Sequence, residues 1–370
     1  MTEPADPAMK RIRVLVVDDS VTVRQLLVDA LSADPEVHVV GTAPNGALGM
    51  TLLPRLVPDV VVLDIDMPVM DGLEFLRRVR PAWPKLPVIV FSTYTTHGAA
   101  TTLQALWFGA SDYVAKPSAG DFDSAVAQAR RELLPRIKAC ARRDAGEGAA
   151  APATPAHPGQ QPVPAPRSAT PPPRPSVVAI GASTGGPRAL ADVLGALPAD
   201  FPVPVLIVQH MPPLFTRHLA DGLSTQCALR VLEATHGAAL EPGTVWIAPG
   251  DHHMTVGRDG VALRLWLDQG PSENACRPSV NPLFRSVAEV FGHGSLGVVL
   301  TGMGQDGLEG ASRIRAARGQ VIVQDEASSV VWGMPGAIAR AGFADKVLPL
   351  DDIAGEILAR VHRTGGRRAA

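Results

Sequence analysis

Short aliphatic runs recur along the chain, and segments with apolar residues at helical spacing separate them. Residues 13–17 (RVLVV), 60–65 (VVVLDI), 87–91 (PVIVF) and 113–115 read as strands. Residues 21–31, 73–79, 99–108 and 122–139 read as helices. The pattern returns after residue 175, with strands expected at 176–180, 203–208, 243–247, 296–300 and 320–323. Residues 254–267 alternate instead, as in an antiparallel hairpin turning near Arg258-Asp259-Gly260. Continuous apolar strands alternating with helices predict parallel sheets covered on both faces. Functional groups in such sheets gather at the carboxyl ends of the strands.

Proline breaks the pattern once. Ten of the 35 residues from 141 to 175 are Pro, and Val163 is the sole large aliphatic. Such a segment buries too little apolar surface to offset its ordering entropy, so it reads as a semi-rigid linker. The expected organisation is α/β: two doubly wound parallel-sheet domains, 11–139 and 176–361, joined by the Pro/Ala-rich linker 140–175.

Composition narrows the function. The 370 residues carry 34 Lys+Arg and 36 Asp+Glu, and the half from residue 176 onward carries 16 and 18, which argues against a nucleic-acid partner. No apolar run reaches the length of a membrane helix, and the segment MTEPADPAMK does not read as a signal peptide. Three widely spaced cysteines form no disulfide framework or metal pair, which fits a cytoplasmic protein.

Three elements of the first domain end in polar groups. Asp18 and Asp19 follow the first strand, Asp64 ends the second, and Lys116 follows the last. Clustered carboxylates suit a hard cation such as Mg²⁺, and a lysine beside them neutralises an added anion. Ser92 adds a hydroxyl at the end of the third strand. The ordered set Asp18-Asp19, Asp64-Ile-Asp-Met67-Pro68, Ser92-Thr93 and Tyr113-Val-Ala-Lys116-Pro117 resembles the receiver domain of two-component response regulators. The resemblance implies a flavodoxin-like fold and Asp64 as phosphoacceptor, favoured over Asp66 by its offset to Met67-Pro68. It also implies Asp18, Asp19 and Asp64 as Mg²⁺ ligands, Ser92 (with Thr93 as rival) as the switch hydroxyl, and Lys116 and Tyr113 as further switch residues.

In the second domain, Gly181-Ala-Ser183-Thr184-Gly185 fits G-x-S-x-G between a strand and a helix. Glycines there permit a sharp turn that projects the serine. The same turn is also compatible with a phosphate cradle or with no chemistry at all. The next strand ends in Gln209-His210, and a later one leads into a Gly-rich loop carrying Asp306. Together these strands deliver a nucleophile, a base and an orienting carboxylate to one sheet edge. The order Ser–His–Asp is not that of α/β-hydrolases, and the loop lacks G-x-G-x-x-G.

GASTGGP, VQHMPP, IAPGDHHM, RPSV and LTGMGQDG resemble the catalytic domain of chemotaxis protein-glutamate methylesterases, over about residues 176–361. A receiver followed by this domain is that family's layout. The resemblance implies hydrolysis of glutamate γ-methyl esters on chemoreceptors with release of methanol, and deamidation of receptor glutamines. It implies a triad of Ser183, His210 and Asp306, with backbone N–H groups of Met303 and Thr184 as oxyanion donors. It further implies phosphorylation by a chemotaxis histidine kinase, control by receiver docking over the esterase site, and no cofactor for the esterase itself. This chain reads Cys276-Arg277-Pro278-Ser279-Val280-Asn281 where the family commonly has His and Asp at the flanks, and Arg277 either positions the substrate or braces the loop, with bracing favoured. Asp251-His252-His253 looks metal-like, yet adjacent histidines on a short turn seldom face one ion.

Overall fold

The computed structural model describes residues 11–93, 95–117, 121–142 and 173–362. Most of the segment read as the linker, 143–172, lies outside the described residues.

The first half forms a five-stranded sheet from β1 (Ile12–Val17), β2 (Val37–Ala43), β3 (Val60–Leu63), β4 (Val88–Ser92) and β5 (Asp112–Ala115). Its order, β2-β1-β3-β4-β5, is flavodoxin-like, and every pairing is parallel. Helices α1 (Val21–Ser32), α2 (Gly46–Leu56), α3 (Gly72–Ala82), α4 (Thr96–Trp107) and α5 (Phe122–Arg142) cover it. Polar side chains start the early helices: Ser20, Asn45 and Asp71 each accept a backbone N–H in the first turn.

The second half forms a seven-stranded sheet. Its strands are β6 (Val177–Ala182), β7 (Val205–Gln209), β8 (Arg230–Glu233), β9 (Thr244–Ile247), β12 (Ser295–Val299), β13 (Gln320–Gln324) and β14 (Lys346–Leu348). The order is β14-β13-β12-β6-β7-β9-β8, parallel throughout. The expected hairpin forms from β10 (His253–Asp259) and β11 (Ala262–Asp268). Helices α6 (Gly186–Gly195), α7 (Phe215–Gln226), α8 (Val280–Phe291), α9 (Leu308–Ala316), α10 (Met334–Arg340) and α11 (Leu350–Val361) complete the layers. β6, β7, β9, β12 and β13 are buried along their whole length, as continuous aliphatic runs require.

The sequence pattern missed β2, α2, β8 and β14. Three are edge strands, with exposed or half-buried positions that dilute the apolar signal. Helix α2 contains two glycines and Pro54, which mask its period.

Phe284, on α8, is fully buried and lies beneath Gly297 of β12 and Gly310 of α9. Phe284→Ala is expected to cost about 3–5 kcal/mol, because the surrounding layers close only partly over the cavity. Urea unfolding of the variant measures this.

Candidate active site and phosphorylation site

In the first half, the strand ends bring the predicted residues together. Asp18 and Asp64 are buried, Asp19 is exposed, and ligand oxygens of all three lie within 4.8 Å of one another. Lys116 Nζ lies 2.9 Å from Asp18 Oδ2 and 2.8 Å from Asp64 Oδ2. Burial pushes the Asp64 carboxyl up to about 6; Lys116 opposes the shift and Asp18 adds to it. Three hard oxygen donors facing one lysine leave an excess of negative charge, and a divalent cation of the Mg²⁺ type fits that donor set. Ser92 is buried at the end of β4, with its carbonyl accepting from the Lys116 N–H.

In the second half, β12, β6 and β7 are neighbours in the sheet. Ala182 pairs with Gln209, so Ser183 and His210 leave adjacent strands at the same level. The His210 N–H donates to Ala182 O at 3.1 Å, which holds the two ends together. Asp306 arrives from the loop after β12. His210 Nε2 and Asp306 Oδ2 lie 2.8 Å apart. A carboxylate only accepts, so Nε2 carries the proton and the free lone pair of neutral imidazole is on Nδ1. Nδ1 sits 3.5 Å from Cys276 Sγ; among the described residues the His210 ring bonds to Asp306 and Cys276, not to Ser183. Burial opposes charging of His210, but Asp306 and Cys276 outweigh it and push the imidazole up to about 9. Burial would raise Asp306, yet His210 and the surrounding donors hold it below its ordinary value.

Asp306 is the most heavily bonded group of the site. Its Oδ1 accepts from Ser279 Oγ, Asn274 Nδ2 and the N–H groups of Gly307 and Asn281, and its Oδ2 accepts from Val280 N–H. Ser279 is also the N-cap of α8. The loop 273–281 therefore builds the carboxylate's surroundings. Arg277 bonds through Nε and Nη2 to Asp251 and through Nη1 to the carbonyls of Gln269 and Gly270. This is the brace the sequence suggested. His252 and His253 turn away from one another: His252 Nδ1 faces Gly250 O, and His253 Nε2 faces Pro271 O.

Thr184 follows Ser183 in the chain, and Met303 follows Gly302, which packs against Ser183. Among the described residues, neither Thr184 N–H nor Met303 N–H donates to a protein acceptor. The Gly302 carbonyl accepts from Gly333 and Met334, and Gly302 packs against Ser183, where an added Cβ would lie 2.8 Å from the Ser183 Cβ. In a trans peptide the carbonyl and the following N–H point in opposite directions, so anchoring Gly302 O sets the direction of the Met303 N–H.

The receiver half lies against this site. Thr184 Oγ1 donates to Asp112 Oδ2 at 2.6 Å, and Arg136 Nε lies 3.3 Å from the same oxygen. Tyr113 stacks on Phe215 with ring centroids 4.6 Å apart. Trp107 lies on Gly222 of α7, so closely that a Cβ there would come within 1.8 Å of the indole. Burial first, and the charge of Arg188 second, lower the Arg80 guanidinium to about 10.

Sequence reasoning located the strand-end residues but missed Asn274, Asp112 and the contact between Cys276 and His210. Ser279 was noted without its role; a serine starting a helix was the one signal available. The others act across long sequence separations that no local pattern reports.

Residues 178–357 match the family model described as CheB methylesterase, and residues 14–126 match the response regulator receiver domain. A protein-glutamate methylesterase/protein-glutamine glutaminase of Trichodesmium erythraeum is 46% identical over 95% of this chain and 100% of its own length. The protein of the same description from Nocardioides sp. is 50% identical over 96% of this chain and 97% of its own length. The solved catalytic domain of Thermotoga maritima CheB methylesterase is 40% identical, covering 50% of this chain and 97% of that one, with a TM-score of 0.49. With both domain matches in chain order and relatives aligned nearly end to end, the chain belongs to the family of protein-glutamate methylesterases/protein-glutamine glutaminases that carry a receiver domain.

Proposed function

We propose that Ser183, His210 and Asp306 carry out hydrolysis of glutamate γ-methyl esters on chemoreceptors, under control of phosphorylation at Asp64. The observation that carries this reading is the His210–Asp306 bond at the strand end next to Ser183. Ser183 Oγ attacks the ester carbonyl as His210 Nδ1 takes its proton. The Met303 and Thr184 N–H groups stabilise the oxyanion, each such donor being worth about 10²–10³-fold in rate. Collapse expels methanol, protonated by the imidazolium. Water, deprotonated by His210, then attacks the acyl-enzyme and frees the glutamate carboxylate. With a receptor glutamine the leaving group is ammonia. Asp306 holds the imidazole and its charge.

The receiver spans about 11–139 and the esterase 176–361, with the Pro-rich segment between them. The protein works in the cytoplasm, receives its phosphoryl group from a chemotaxis histidine kinase, and engages neither nucleic acid nor the membrane interior. Among its described residues no helix is long and apolar enough to cross a membrane. Asp18, Asp19 and Asp64 would hold Mg²⁺, which when bound offsets the charge of the incoming phosphoryl group. Lys116 pairs with the phosphoryl oxygens, and Ser92 follows them. Tyr113 and Asp112 are neighbours on β5, so a change at the phosphorylation site that reorients Tyr113 loosens both the Phe215 stack and the Thr184 hydrogen bond.

Methanol release from methylated receptor membranes is expected to rise with a small phosphodonor and Mg²⁺, to vanish in Ser183→Ala, and to lose its stimulation in Asp64→Asn. Release by Ser183→Ala at the wild-type rate contradicts the mechanism. Asp112→Ala removes a buried hydrogen bond from the docked state, about 1–1.5 kcal/mol, and is expected to raise the unphosphorylated rate roughly five- to tenfold. The base must be neutral to act, and its pKa is raised, so activity is lost as pH falls through the folded value. kcat/KM is therefore expected to climb with pH to about 9. Cys276→Ala should move that midpoint downward, which a pH–rate profile reads directly.

A further inference from the structure

The Ser183 carbonyl and the Thr184 N–H belong to one planar peptide and point in opposite directions. Whatever holds the carbonyl aims the N–H. Two donors hold it: Gly186 N–H at 2.7 Å and Gln209 Nε2 at 3.0 Å. Gln209 is the last residue of β7, only 2% exposed, and precedes His210. A carbonyl only accepts, so the amide nitrogen of Gln209 must face Ser183. The other amide atom, Oε1, is buried without a hydrogen-bond donor. It packs so tightly on Gly186 that a Cβ there would lie 1.9 Å from it. A side chain present for packing alone would not leave a buried oxygen unmatched when an apolar one of similar length fills the same space. The amide nitrogen also reaches the His210 carbonyl, at 3.5 Å, and its shorter bond at 3.0 Å is to the Ser183 carbonyl.

We propose that Gln209 is a positioning residue for the hydrolysis, fixing the Ser183–Thr184 peptide plane so that the Thr184 N–H faces the oxyanion. It does for Thr184 what the Gly333 and Met334 N–H groups do for Met303 through Gly302 O. One oxyanion donor is thus aimed by backbone alone and the other by backbone and a side chain together, and substitution reaches that side chain. The inference rests on the reading of Ser183 as nucleophile.

The test uses full-length protein activated with phosphodonor and Mg²⁺, assayed by methanol release from receptor membranes. Gln209→Met keeps the length of the side chain and removes the donor; Gln209→Glu puts an acceptor in its place. Both are expected to lower kcat by about tenfold or more, Gln209→Glu further, because an oxyanion donor is misdirected. KM should stay within about twofold and the pH midpoint should not move. A peptide boronate, which forms a tetrahedral adduct on the serine, should lose affinity by the same factor as kcat. A residue that only stabilises the fold would lower the melting temperature and leave boronate affinity and kcat together near wild type. Unchanged kcat in both variants, or a loss confined to KM with boronate affinity retained, overturns the proposal. Ser183→Ala run alongside separates the two levels. Activity there overturns the nucleophile and this inference with it, whereas inactivity there with unaffected Gln209 variants overturns this inference alone.

Discussion

The buried carboxylate of Asp306 is the constraint around which the catalytic half is arranged. A carboxylate that is 2% exposed survives as a charge only if donors replace its water. Six donors do so: His210, Asn274, Ser279, Val280, Asn281 and Gly307. They come from β7's end, the loop 273–281, the start of α8 and Asp306's own loop. One charge therefore ties together elements far apart in the chain, and removing it would leave several buried donors without a partner and take from His210 the main interaction that raises its imidazole. The same satisfaction orients His210, because its Nε2 is committed to Asp306 and the lone pair of the neutral ring falls on Nδ1, beside Cys276.

A second arrangement repeats at smaller scale. Next to Ser183, each candidate oxyanion donor is the far side of a peptide whose carbonyl is anchored. Preorganised donors are effective because they need not reorient when charge develops. The receiver meets the site at this level. Asp112 touches Thr184, the residue after Ser183, and Tyr113 touches Phe215, which starts the helix following the His210 loop. Two adjacent residues of one strand thus reach both sides of the active site.

Much of this was legible in the sequence, for a physical reason. Strands buried on both faces are written as unbroken aliphatic runs, so β1, β3, β4, β6, β7, β9, β12 and β13 announced themselves. Parallel topology then placed Asp64, Ser183 and His210 at carboxyl edges without any knowledge of contacts. Edge strands β2, β8 and β14 were not legible, since half-exposed positions carry no period strong enough to read. Nor were the supporting groups. Cys276 stands 66 residues from His210 and Asp112 stands 72 from Thr184, and only the folded chain brings them together. Gln209 was visible as a strand-end residue, but its role lies in which carbonyl it holds.

The central claim is that Ser183 is an activated nucleophile whose exposure the receiver governs. The most direct measurement is the rate at which a biotinylated fluorophosphonate labels the protein, with the labelled peptide identified by mass spectrometry. The account predicts a single label on Ser183, slow in the unmodified protein and faster when beryllofluoride and Mg²⁺ mimic phosphorylation at Asp64. A label on another residue, or a Ser183 rate indifferent to beryllofluoride, would contradict it.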